Sequence, residues 1–394
     1  MIRPTVARVD LAAIEHNLRS ISSFLSAGRS DPAARLTTPS PRVIAVVKAN
    51  AYGHGAPDVG LALERAGAAM LACADIEEGI VLRRAGVRIP ILVFGALGIS
   101  DLDGVFEFGL TPTISTPAAA ENLAAAAARR SQRAFPEKGD SPRFQLRCHL
   151  KIDTGMNRLG FRHDNLARTL PAIARSGHLA IDAVYTHFAT ADDPEHPAFN
   201  EQRERFERTL TALPALGITP KFRHAANSAA LLRDERVWYD FVRPGLLLYG
   251  IVPPPLAATL PLRPALSLHS RIVHVKGTRP GEGTGYGLQA TADAPRTIAI
   301  VPAGYADGLD RRMAGRAFML VRGQRVPVVG SVCMDMTTVD VTGLDVQTGD
   351  EVVIVGEQDG SEIGMREIAA AIGTIPYELL CRVGTRIERR YDPA

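Results

Sequence analysis

A chain of 394 residues with 46% hydrophobic and 22% charged side chains has apolar material for two or three cores, at roughly one domain per 150 residues, which excludes a disordered chain. Forty-five Lys and Arg against 42 Asp and Glu leave a formal charge of +3; the basic residues are scattered rather than massed beside aromatics, so neither a nucleic-acid nor a membrane-surface partner is expected. The four cysteines, Cys73, Cys148, Cys333 and Cys381, form no C-x-x-C pair, which argues against a disulfide framework or zinc knuckle and suits a reducing cytoplasm.

The first fifteen residues carry Arg3, Arg8, Asp10 and Glu15, and no apolar run approaches the ~18 residues of a membrane span, so neither secretion nor insertion is expected. From residue 40 to 250, short β-rich runs alternate with amphipathic stretches, the pattern of a parallel sheet built from β-α repeats. Eight strands are expected, beginning at Val43, Met70, Ile91, Thr111, Leu146, Ala183, Arg223 and Asp240. Helices are expected over Ala56 to Ala66, Ile76 to Ala85, Pro117 to Arg130, Asn165 to Arg175 and Asn200 to Leu213. Eight units fit a closed (β/α)8 barrel, typically about 250 residues, better than an open doubly wound sheet. Ala27 to Arg42 and Ser131 to Arg143 are rich in Pro, Ser, Gly and Arg and read as peripheral loops. The prolines at 253, 254, 255, 261 and 264 read as a semi-rigid linker, dividing a barrel domain, 1–255, from a mostly β domain, 256–394. In the second domain strands are expected over Ser267 to Lys276, Arg296 to Val301, Phe318 to Val321, Arg325 to Val329, Thr338 to Val341 and Glu351 to Val355, with one helix over Ile363 to Ile372.

Barrels of this kind collect their chemistry at the C-terminal ends of the strands. Lys48, then Tyr52 and Gly53-His54-Gly55, follow the first strand; Lys151, Asp153 and Arg158 follow the fifth; His187 ends the sixth; Asn227 and Ser228 follow the seventh; Arg243, Pro244 and Gly245 follow the eighth. Loops after strands seven and eight can present N–H groups to a phosphate, although Ser228 alone reads more simply as an N-cap. Lys48 alone is more simply a lysine reaching for water than an amine set for imine chemistry, and His187 and Arg243 alone read as structural residues. No H-E-x-x-H, no P-loop and no metal-spaced cluster occurs. Gly285 to Ala290 formally fits G-x-G-x-x-A but lacks a following helical pattern.

The run VVKANAYGHG from Val46 to Gly55 resembles the cofactor-lysine signature of the pyridoxal-phosphate-dependent alanine racemases. In the same order follow KIDTGMNRLGF from Lys151, YTHFATAD from Tyr185, HAANSAA from His224, RPGLLLYG from Arg243, GYG at Gly285, GYADG at Gly304, VCMD at Val332 and IPYE at Ile375. The resemblance implies a barrel followed by a β domain, a homodimer with shared active sites, and interconversion of L- and D-alanine for peptidoglycan. It implies that Lys48 holds pyridoxal 5′-phosphate and acts as one base, with Tyr286 as the other. Tyr52, Asn227, Ser228, Gly245, Leu246 and Tyr377 would hold the cofactor, largely through its phosphate. Arg243 would face the pyridine nitrogen, and His187 would link Arg243 to Tyr286. Arg158 and the backbone of Met334 would bind the substrate carboxylate, Tyr305 would narrow the entry, and a carbamylated Lys151 would orient Arg158.

Racemisation requires two acid/base groups flanking Cα, which explains a need for both domains. A phenol is a poor base at neutral pH, so a cationic His187 and Arg243 relay is expected to favour the Tyr286 phenolate. A barrel-type amino-acid decarboxylase and a non-catalytic pyridoxal-phosphate carrier are the competing readings. The first would have to release the carboxylate that Arg158 and Met334 bind, and the second has no use for Tyr286.

Overall fold

The protein is described by a computed structural model covering residues 4–28, 39–97, 102–134, 144–257, 259–288 and 290–392. Chain entry is governed by strand β1 (Val6–Asp10) and the helix Leu11–Ala27. Asp10 ends the strand and caps the helix, its carboxylate accepting from the Ala13 N–H at 2.8 Å, which satisfies one of the N–H groups a helix start leaves open. Ile14, Leu18, Ile21 and Leu25 recur at helical spacing and are fully buried.

The barrel follows. Strands β2 (Arg42–Val46), β3 (Met70–Cys73), β4 (Ile91–Val93), β5 (Thr111–Ile114) and β6 (Leu146–Asp153) precede a two-residue β7 (Phe161–Arg162); β8 (Leu179–Tyr185), β9 (Phe222–Asn227) and β10 (Phe241–Arg243) complete the set. Their order is β5-β4-β3-β2-β10-β9-β8-β6, all neighbours parallel, and pairing of Thr113 with His149 and Ile114 with Leu150 closes β5 onto β6. This is the closed eight-stranded barrel expected, and it excludes the open sheet. Burial on both faces makes the strands read as nearly continuous apolar runs, which is why their positions are visible in the sequence. Where Asn165 to Arg175 reads as one helix, two four-residue pieces form, Leu166–Thr169 and Pro171–Ala174, because Pro171 cannot continue the first.

The second sheet runs β12-β13-β16-β15-β14-β17-β11-β1-β19, with β18 on β17. Its strands are β11 (Leu266–Arg271), β12 (His274–Thr278), β13 (Arg296–Val301), β14 (Phe318–Val321), β15 (Gln324–Val329), β16 (Thr337–Asp340), β17 (Glu351–Gln358), β18 (Ser361–Ile363) and β19 (Glu388–Asp392). Residues 6–10 fall within 1–255, yet β1 lies in this sheet, antiparallel to β11 and parallel to β19. A five-residue strand with apolar Val6, Ala7 and Val9 carries no mark of which sheet will take it. The helix expected from Ile363 begins at Met365, and a second helix, Pro376–Arg382, carries Tyr377 toward the barrel. Of the two expected loops, residues 29–38 and 135–143 lie outside the described residues, while Ala27 and Ser131 belong to helices.

Asn17 fastens the connection between the domains. Its amide donates to the carbonyls of Leu248 and Arg263 and its oxygen accepts from the Arg263 N–H at 2.8 Å. At Gly250, with φ of +78°, an added Cβ would stand 1.9 Å from the Arg263 carbonyl oxygen, so only glycine allows this approach. Among the described residues no helix is long and apolar enough to cross a membrane, and no cluster of His, Cys, Asp or Glu is suited to a metal ion.

Candidate active site

Lys48 leaves β2 at the barrel mouth and opens a turn of unusual hand. Ala49, Asn50, Ala51 and Tyr52 have φ between 52° and 54°, and Gly53 follows at 80°. Left-handed helix costs L-residues roughly 1–2 kcal/mol each, so four in succession persist only where the surroundings over-determine them. Here one carboxylate spans the turn and the neighbouring strand: Glu78 accepts from the Ala49 N–H at 2.6 Å and from the Ala74 N–H at 2.8 Å. Asn50 Oδ1 accepts from the Ala56 N–H at 2.8 Å, and Arg389 donates to the Gly53 carbonyl at 2.7 Å. The pattern of the sequence does not announce this turn; only Asn50 and Gly53 favour such backbone.

Lys48 is accessible from the open mouth, yet partial desolvation, with the nearby charge of Arg158, lowers its pKa. Lys151, at the end of β6, is buried, and desolvation followed by Arg158 and Arg243 brings its pKa to about 8. Arg158 is exposed on the loop after β6, whose start is tied by Asp153 accepting from the Gly155 and Asn157 N–H groups.

Arg243 is only 3% exposed and is satisfied without a carboxylate. It donates to the Thr186 and Ala225 carbonyls, each at 2.9 Å, to His224 Nδ1 at 2.9 Å and to His187 Nδ1 at 3.2 Å. A guanidinium only donates, so both Nδ1 atoms accept and each imidazole carries its proton on Nε2. The His224 Nε2–H then donates to His149 Nδ1 at 3.0 Å. Burial brings the pKa of Arg243 to about 10 and that of His149 to about 3, and holds His187 and His224 well below the ordinary histidine value. The expected cationic His187 is therefore corrected: desolvation and the adjacent Arg243 leave it neutral, free to donate from Nε2. His149 on β6 and His224 on β9, both buried, were not singled out in the sequence as site residues.

The elements expected to hold an anion sit beside this cluster. Asn227 caps the helix Ser228–Arg233 through its side-chain oxygen on the Ala230 N–H, 2.9 Å, so the cap is Asn227 and the Ser228 hydroxyl is released for another task. It accepts from the Gly245 N–H at 2.9 Å, joining two helical starts, Ser228 and Leu246. Buried Tyr52 lies against Gly245, where a Cβ would come within 2.4 Å of the phenol oxygen. Tyr377 stands over Tyr52 with ring centroids 5.8 Å apart. Burial raises the pKa of both phenols, Tyr377 to about 12, so both act as neutral hydrogen-bond donors.

Lys48, Lys151, Arg158 and Arg243 make no salt bridge to a carboxylate among the described residues. A cationic mouth beside two helical starts and two neutral phenols is complementary to a phosphorylated, carboxylate-bearing occupant, and a primary amine among them suits attachment of an aldehyde. These residues fit pyridoxal 5′-phosphate.

Three expected site residues stand elsewhere. Tyr286, Met334 and Tyr305, 77%, 52% and 43% exposed, form a patch on the second domain. Ser331 donates to the Tyr286 carbonyl, the Tyr305 N–H to Cys333 and the Ala306 N–H to Met334. Among the described residues no hydrogen bond, ion pair or ring contact joins this patch to Lys48, Lys151, Arg158, His187 or Arg243.

Residues 9–253 match the family described as "Alanine racemase, N-terminal domain" and residues 265–391 match "Alanine racemase, C-terminal domain". Alanine racemase of Symbiobacterium thermophilum is 40% identical over 99% of this chain and 97% of its own length, and that of Desulforamulus reducens 39% over 99% and 100%. Among solved structures, alanine racemase from D-cycloserine-producing Streptomyces lavendulae superposes with a TM-score of 0.90 at 33% identity, covering 100% of this chain and 98% of that one. The Bacillus anthracis enzyme with bound L-Ala-P gives 0.84 at 34%, covering 100% and 96%. The chain belongs to the alanine racemase family, whose cofactor is pyridoxal 5′-phosphate.

Proposed function

We propose that this protein is a cytoplasmic homodimer that interconverts L- and D-alanine for peptidoglycan, with Lys48 and Tyr286 as its two bases. The observation that carries the reading is the division of the site residues between a cationic barrel mouth, with Lys151 and Arg243 buried within it, and an exposed phenol-bearing patch on the same chain. Proton transfer at Cα demands a group on each face within hydrogen-bond reach. In a dimer, the patch of one copy closes the mouth of the other.

When bound, the cofactor supplies an electron sink for the pair left at Cα once its proton departs. The protein's own residues do the rest. Lys48 would carry the cofactor covalently, and its amine would hold or return a proton on one face of Cα. Tyr286 does the same on the other face. Neutral His187 accepts from Arg243 at Nδ1 and offers its Nε2–H to the phenol oxygen, stabilising the phenolate through a hydrogen bond rather than through a charge on the ring. Tyr52, Tyr377, Ser228 and the Gly245-Leu246 turn bind the phosphate, with Asn227 holding the Ser228 helix start. Arg243 would face the pyridine nitrogen, and a guanidinium near pKa 10 would not readily give that nitrogen a proton. Arg158 and the Met334 backbone bind the substrate carboxylate, and Tyr305 narrows the entry.

Lys151 is carbamylated in this reading. Its neutral amine attacks carbon dioxide, the new N–C bond forms and the amine proton leaves, so an anion replaces a cation beside Arg158 and orients it. The lowered pKa supports the step because it leaves a share of the amine neutral near physiological pH.

The decarboxylase and carrier readings are not favoured, since both racemase domains are matched along the chain. Borohydride reduction of the cofactor-loaded protein, followed by peptide mapping, is expected to place the label on Lys48, and L-alanine is expected to lose optical rotation without gas release. Label on another residue, or carbon dioxide evolution, contradicts the assignment.

A further inference from the structure

We propose that Glu78 is a positioning residue that holds the left-handed turn and thereby aims the Lys48 amine into the barrel mouth. The inference rests on the reading of Lys48 as the cofactor-bearing base.

Glu78 sits at the third position of the helix Ile76–Arg84, which Asp75 caps by accepting from the Glu78 N–H at 2.8 Å. A glutamate there ordinarily serves its own helix, reaching back to the N–H groups just before it. One oxygen does so, taking the Ala74 N–H at the end of β3. The other leaves its helix altogether and takes the N–H of Ala49, the first left-handed residue and the one directly after Lys48. The carboxylate therefore staples the turn to β3, the strand neighbouring β2.

The chemistry of the side chain fits this duty and few alternatives do. A carboxylate is acceptor-only, with both oxygens able to receive an N–H. Glutamine has the same shape but offers one oxygen and one donor group, so it can satisfy one amide only by pointing its own N–H at the other. The turn has four consecutive residues in a conformation that L-residues avoid; backbone bonds such as Ala51 N–H to the Val47 carbonyl run through it, and the side chains of Asn50, His54 and Arg389 hold its middle and its end. At its beginning, next to the amine that must reach Cα, the side chain on the Ala49 N–H is Glu78.

The experiment compares wild type, Glu78→Gln and Glu78→Ala by steady-state kinetics and by amide hydrogen exchange, the latter on cofactor-free protein, with borohydride mapping of Lys48 run in parallel. Glu78→Gln is expected to lower kcat about 10–100-fold, within the range of losses from misplacing a general base, with KM for alanine within about twofold. Exchange at Ala49 should rise about tenfold or more while core strands keep their protection. Unchanged kcat overturns the proposal, whether or not exchange rises, because the clasp would then be structural only. A loss of kcat without faster exchange at Ala49 overturns it as well. If Glu78→Ala does not fold, the isosteric Gln variant still decides. Absence of label on Lys48 in wild type removes the cofactor reading instead, a result separable from the exchange measured at Ala49.

Discussion

The barrel mouth and the Tyr286 patch are built on opposite principles. Around Arg243, the guanidinium is held by two carbonyls and two imidazoles, the histidines are neutral with their protons placed, and the strands end in a closed ring. The patch on the second domain is exposed, held by loop backbone, and directs a phenol and a methionine toward solvent. In the reading proposed here, these two halves of one chain meet in a dimer: the barrel mouth would hold the cofactor, and a second copy would supply the second proton-transfer group.

Substitutions on the two sides should separate this division. Lys48→Ala removes both attachment and one base, and activity should fall by at least about 10³-fold, as expected when a positioned acid/base group is lost; kinetics at saturating cofactor measure it. Tyr286→Phe should cost about 10²–10⁴-fold but asymmetrically: exchange of the Cα hydrogen with deuterated water should be lost from one enantiomer and kept in the other. Equal loss in both would contradict a two-base site. Gly245→Ala drives a Cβ against the Tyr52 phenol, an overpacking cost of about 1–3 kcal/mol, and should weaken cofactor binding roughly tenfold or more while Tyr286 exposure stays unchanged; equilibrium titration reads it.

Smaller effects test the framework. Carbamylation of Lys151 should increase as pH rises through about 8, since only the neutral amine reacts, and native mass spectrometry across that range follows it. Asn17→Ala leaves the carbonyls and N–H of the domain connection unpaired, costing about 1–3 kcal/mol of stability with little effect on the mouth. His149 is held neutral with its pKa near 3 against an ordinary 6.5, so the unfolded chain binds the extra proton and stability falls as pH drops from 6.5 toward 3. His187 and His224 act in the same direction, and thermal melts in that window show the acid limb.

The barrel strands were legible because doubly buried parallel strands leave apolar runs such as VIAVV, and the linker because prolines punctuate it. The barrel site motifs were legible because each lies at a strand end, whereas Tyr286, Tyr305, Met334 and Tyr377 were reached only through the resemblance. What stayed hidden depended on distance or on handedness. Nothing in Val6–Asp10 marks pairing with β11 and β19, more than 250 residues away. Ala49, Ala51 and Tyr52 give no sign of left-handed backbone, and Glu78 reads as an ordinary first-turn acid until its second oxygen is seen on Ala49. The protonation of His187 followed from the burial of Arg243, which composition cannot convey.

Hybrid dimers measure the central claim most directly. Lys48→Ala and Tyr286→Phe proteins, each inactive as a homodimer, are co-expressed with different affinity tags and the mixed species is isolated. A site shared between copies places both lesions in one of the two sites and leaves the other intact, so the hybrid should recover about half of wild-type activity per dimer. A hybrid as inactive as its parents would mean that Lys48 and Tyr286 serve within one chain, or not together at all, and would contradict the account.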